Sequence, residues 1–109
     1  MRGLIIIFIA VLLAGCNDQA NRANELAQSE VSSHLTHLQN IKFHDVQFFS
    51  RENNGGMVCG RYSDGSRMDN RFIAAIYSQE AGMKATKPFI EGEGTTTDIM
   101  NALWQSECK

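Results

Sequence analysis

The 109-residue chain has no apolar run long enough to cross a bilayer. Its longest, Leu4 to Leu13, falls well short of the roughly 20 residues that a membrane-spanning helix needs. Lysine and arginine are few and scattered, with no basic cluster, so the electrostatic footprint of a nucleic-acid binder is missing. There is no Cys-x-x-Cys pair, which removes the usual signature of redox or zinc chemistry. Serines are plentiful but none lies in a Gly-x-Ser-x-Gly elbow, so that hydrolase motif is missing as well. Together these absences argue against an enzyme and predict no metal or cofactor.

What is present begins with that short apolar run. Arg2 precedes it, small residues Ala14 and Gly15 close it, and the polar stretch NDQANR follows. This is the layout of an export signal, the competing reading being a buried segment of a cytosolic protein. Leu13-Ala14-Gly15-Cys16 resembles the lipobox of bacterial lipoprotein precursors. The resemblance implies that residues 1–15 are a leader, cleaved before Cys16, and that the sulfur of Cys16 carries diacylglycerol while the new N-terminus is acylated. Several acyl chains anchor stably where a single one binds only marginally. The expected organisation is a leader (1–15), a lipidated tether (16–22) and one small domain (23–109). Asn17-Asp18 resembles the polar pair that retains lipoproteins in the inner membrane of Gram-negative bacteria, which favours that membrane over the outer one.

With Cys16 assigned to lipid, Cys59 and Cys108 remain in an oxidising compartment where disulfides persist, and they are expected to bond to each other.

The domain reads as α+β. Ala23, Ala27, Val31, Leu35 and Leu38 recur at helical spacing and predict an amphipathic helix over 23–39. FHDVQFFS (43–50), MVCGRYS (57–63) and RFIAAIYS (71–78) read as the strands of an antiparallel meander. The first two are joined by RENNGG, whose Asn-Gly is a hairpin signal. QEAGMKATKP reads as a loop, FIE (89–91) as a short edge strand and EGEG as a flexible turn. Thr95 with Asp98 has the capping-box spacing and predicts a C-terminal helix. In that helix the pairs Ile99/Leu103 and Met100/Trp104 share a face, and Cys108 continues the register. The expected architecture is a small sheet with helices packed on one face, the last tied down by the disulfide.

Phe43-x-x-Val46, Val58-Cys59-Gly60 and Arg71-Phe72-Ile73 resemble a group of small exported bacterial domains, frequently lipoproteins and without assigned activity. The Pro-x-Ser that often precedes the first motif is replaced here by Asn40-Ile41-Lys42.

Few residues offer chemistry. His34 and His37 are three apart on the predicted helix and His44 follows soon after, but no third histidine shares that helical face, and metal binding is not expected. Asp45, Glu91 and Glu93 are carboxylates that nothing in the sequence brings together. Phe43, Phe48 and Phe49 are the candidate contact surface, because with Val46 they cannot all share one face under strict two-residue alternation. Either the sheet is covered on both sides, which helices at both ends of the chain favour, or one aromatic row meets a partner. The expected function is that of a membrane-anchored binding module of the cell envelope, with an unidentified envelope protein as partner. The alternatives are an inhibitor or exclusion factor directed at a hydrolase, a phage or a conjugation machinery, and, less favoured, a small hydrolase.

Overall fold

The computed structural model describes the backbone of residues 2–65 and 69–109, and within those ranges the side chains from Asp18 onward. Helix α1 (Arg2–His34) is followed by β1 (Lys42–Ser50), β2 (Gly56–Ser63), β3 (Asn70–Gln79), β4 (Gly82–Ala85), β5 (Phe89–Ile90) and α2 (Thr97–Glu107). The α+β class, the antiparallel meander and the disulfide-tied C-terminal helix are as expected. The side chains of the expected leader (1–15) and of Cys16 lie outside those described. Among the described residues no helix is long and apolar enough to cross a membrane.

Helix α1 packs through Ala23, Ala27, Val31 and Leu35, all without solvent exposure. All four belong to one buried cluster with side chains of β2, β3 and β5. Residues 17–22 are part of the same helix. One expectation about it is corrected: it ends at His34 instead of Gln39. Leu35 N–H donates to Ser32 O and Leu38 N–H to Leu35 O, at 3.1 and 2.9 Å. These tighter three-residue turns let both leucines pack against the same core.

The sheet runs β1-β2-β3-β4 with every pairing antiparallel, and β5 also pairs with β3. Because β2 occupies one edge of β3, β4 and β5 share the other. Pro88 separates them, since it has no N–H to continue the ladder. The stretch expected as a loop thus contains β4, joined to β3 by Glu80-Ala81 with Gln79 opposite Gly82. Its alternation, half-buried Met83 and Ala85 around exposed Lys84, is only four residues long. At the first hairpin Asn53 and Asn54, not Gly55, take the left-handed conformation, with φ of 62° and 59°. Gly55 is required for space instead, because a Cβ there would lie 2.6 Å from Ile76 O.

The two helices cover opposite faces, which corrects the expectation that both pack on one. Side chains alternate along a strand. Val58 and Tyr62 of β2 and Phe72, Ala74 and Ile76 of β3 therefore meet α1, while Cys59 and Ile73 point the other way, toward Met100 of α2. A helix bonded to Cys59 must lie on Cys59's side of the sheet.

The conflict among the β1 aromatics is resolved by a bulge. The register slips between His44 and Gln47, so Asp45 and Val46 together oppose Gly60, and Asp45 takes a φ of 54°. Because the extra residue is bulged out of the alternation, Phe43, Val46 and Phe48 lie on the α1 face and Phe49 on the α2 face. All three phenylalanines are half-buried. The motif segments converge here: Gly60 lies opposite Phe72, and the Phe43 and Phe72 rings meet edge to face at 5.6 Å.

Candidate functional site

On the α2 face the register aligns three basic side chains, His44 opposite Arg61 and Arg61 opposite Arg71. Like charges directly across strands are destabilising unless neutralised. Each member of the row has a carboxylate. Asp69 takes His44 Nε2 at 2.8 Å and lies 3.7 Å from Arg61 Nη1. Glu91 takes Arg71 through Nε at 3.2 Å and Nη2 at 2.9 Å, and also accepts the Arg71 backbone N–H at 2.9 Å. Arg71 Nη2 further donates to Asn101 Oδ1 of α2 at 2.7 Å.

Trp104 of α2 lies against both arginines, with the guanidinium carbons of Arg61 and Arg71 at 5.7 and 5.6 Å from its ring centre. At that range the indole face attracts the cations. Trp104 thereby links helix and sheet through charge as well as packing.

Glu91 is the hub of the neighbouring loop. It is only 8% exposed, and its backbone carbonyl accepts the Tyr62 hydroxyl at 2.9 Å. The hydrogen bonds from Arg71 hold its carboxyl below the usual carboxylate range, outweighing the opposing effect of burial. The same contact raises the Arg71 guanidinium, and burial raises the Tyr62 phenol. The EGEG segment, expected as a flexible turn, is therefore a tied one. Gly92 N–H donates to Thr95 O at 3.1 Å, Glu93 N–H donates to Ile90 O at 3.0 Å, and Gly92 and Gly94 supply positive φ.

A cavity of about 170 Å³ opens beside this loop, lined by Leu38, Tyr62, Asp64, Asn70, Gly92 and Glu93. His37 Nε2 meets Glu93 Oε1 at 2.7 Å and joins the loop after α1 to the loop before α2.

His34, His37 and His44 do not form a site. His34 ends α1, His37 pairs with Glu93, and His44 pairs with Asp69. Among the described residues no group of three His, Cys, Asp or Glu is placed to hold a metal. Asp45 sits in the bulge, while Glu91 and Glu93 serve different basic partners. Cys59 and Cys108 are bonded. In α2, Met100 is buried and Leu103 and Trp104 are half-buried, but Ile99 is 53% exposed and leaves the expected apolar face. The cap is Thr96, whose hydroxyl accepts the Ile99 N–H at 3.3 Å, rather than Thr95.

Arg61, Asp69 and the roles of Glu91 and Asn101 were not legible from spacing. Their only sequence signal is the placement of Arg61 and Arg71 in adjacent strands, and using it requires the register.

No known family, curated protein or solved structure matches this chain.

Proposed function

We propose that this chain is a lipid-anchored, periplasm-facing binding module of the bacterial cell envelope, held through Cys16 and favouring the inner membrane. The observation that carries the reading is Leu13-Ala14-Gly15-Cys16 at the close of a short apolar run behind Arg2. Cleavage before Cys16 removes the run, and lipid on its thiol replaces it as the membrane-binding element.

Binding rather than catalysis is supported by how the charged groups are engaged. Glu91 neutralises Arg71, Glu93 and Asp69 lie 2.7 and 2.8 Å from the ring nitrogens of His37 and His44, and Tyr62 donates to a backbone carbonyl. A general acid or base needs a free position facing substrate, whereas these groups hold elements together. Trp104 between two arginines is of the composition that dominates recognition surfaces, and it lies in the half-buried zone where a partner could reach its edge.

The test is intact-mass measurement of membrane-extracted protein, followed by proximity labelling from the anchored chain with C16A as control. The expected mass is that of a chain beginning at Cys16 plus acyl groups. The expected labelling is a set of envelope proteins lost in C16A. A soluble product retaining Met1 would refute the anchor.

A further inference from the structure

The tether does more than attach the domain. We propose that α1 is a rigid strut fixing which end of the domain meets the lipid surface. The hairpin tips at Glu52–Asn54 and Glu80-Ala81 face the head groups. The end carrying Tyr62, Asn70 and Glu93 is held away from them. The membrane assignment rests on the lipidation of Cys16 proposed above.

Three observations carry this. First, α1 is unbroken from Arg2 to His34, and the sequence from Asn17 to His34 contains neither glycine nor proline to act as a hinge. From Cys16 to Arg22 a helix rises only about 9 Å, so the packed part of α1 starts close to the anchor. Second, the sheet is aligned along this helix. Arg22, Glu25, Leu26 and Ser29, toward its anchored end, line one groove with Met83 of β4. Met83 pairs with Ser78, whose hydroxyl donates to Asn54 O at 2.9 Å, so both hairpin tips lie at that end. Third, the far end of the helix meets the opposite end of the sheet. Leu38 lines the cavity of Tyr62, Asn70 and Gly92, and His37 pairs with Glu93.

The tips suit a hydrated surface. Glu52, Asn53, Asn54, Glu80 and Ala81 are all exposed and none carries a large apolar side chain, so they can graze head groups without inserting. A partner in the periplasm would then approach the Tyr62–Glu93 end or the flanks of the sheet, and the lipid would exclude it from the tips.

Two measurements test the proposal. In leaderless C16S protein, nitroxides at exposed Asp18 and Ser33 should give one narrow distance near 22 Å, the rise of fifteen helical residues (about 1.5 Å each). A broad distribution would overturn the strut whether or not Cys16 is lipidated. In lipidated protein on phosphatidylethanolamine–phosphatidylglycerol vesicles, a fluorophore at E80C should be quenched by a head-group quencher several-fold more than one at K42C. Inserting Gly-Gly between Gln19 and Ala20 should erase that contrast. Equal quenching in a preparation whose mass confirms acylation would overturn the orientation. An acyl-free mass would overturn the anchor reading, and the membrane assignment with it, while the nitroxide distances still decide the strut.

Discussion

The two faces of the sheet are closed by different physics. On the α1 side, ten buried residues from helix and sheet form one apolar cluster, in which the Tyr62 hydroxyl is satisfied by a backbone carbonyl. On the α2 side the buried cluster is Cys59, Ile73 and Met100, and around it stand a disulfide, a buried ion pair, two arginines against Trp104, and Arg51 donating to Glu107 O at 2.7 Å. A helix of eleven residues with one fully buried side chain cannot hold its place by burial alone. The α1 face is held by area removed from water. The α2 face is held by specific bonds, so it is where single substitutions should act most locally.

The disulfide is the sharpest way to break that asymmetry. Cys59 and Cys108 are 49 positions apart, and closing such a loop is worth about 4 kcal/mol by the chain-entropy relation. That is a large share of the 5–15 kcal/mol typical of a domain (about 0.05–0.15 per residue). C59S or C108S should lower the melting temperature accordingly. Hydrogen exchange should show α2 amides losing protection first, with Val31 and Leu35 of α1 retained. Uniform loss of protection across both helices would show that the faces are not separable.

The ion pair comes next. R71M leaves the Glu91 carboxylate, its side chain 10% exposed, without its cation. Stranding a buried charge costs about 3–5 kcal/mol, and the partial exposure here brings the expectation to roughly 2–3. The double variant R71M/E91M should recover part of the loss. The pH dependence has a definite sign. Because the folded-state pKa of Glu91 is depressed, its contribution is complete above the ordinary carboxylate range and is lost as pH falls through the lowered value. E91Q should flatten that acid limb of the stability profile. An unchanged limb would place the acid sensitivity elsewhere.

How much of this was readable beforehand follows from range. Elements governed by near neighbours were legible: the alanine–valine–leucine stripe of α1, three strands to within a residue, the start of α2 and the cysteine pairing. What was not legible depends on partners far apart in sequence. Arg61 and Arg71 become a pair only once β2 and β3 are in register, and Glu91 becomes buried only because β5 returns to the edge of β3. Lone Met83 and Ala85 were too short an alternation to announce β4. The cap moved from Thr95 to Thr96 because Thr95 is buried, its carbonyl bonded to Gly92 within the loop.

Gly60 tests the α1 face with a single methyl. An added Cβ would lie 2.7 Å from Phe72 Cζ and 3.0 Å from Val46 Cγ2, and Phe72 is wholly buried with nowhere to retreat. G60A should cost about 2 kcal/mol, the usual price of overpacking. The loss should appear as weakened protection of α1 while α2 stays tied by its disulfide. A near-neutral G60A would mean that the ring yields more easily than its burial implies.

The smallest effect concerns the bulge in β1, the strand that gives side chains to both faces. Asp45 is the extra member of the β1 bulge, at a φ of 54° that β-branched residues avoid. D45V should destabilise by about 1 kcal/mol from backbone strain alone, and D45G should be close to neutral, since glycine adopts that conformation freely. Deleting Asp45 is the more telling change. Without it, plain alternation from Phe43 still places Val46 and Phe48 on the α1 face and Phe49 on the other, as in the bulged strand. The deletion should therefore fold, with melting close to that of D45V. If it unfolds instead, the bulge also supplies local twist that α1 requires, and the two faces are coupled through the shape of β1 rather than only through its phase.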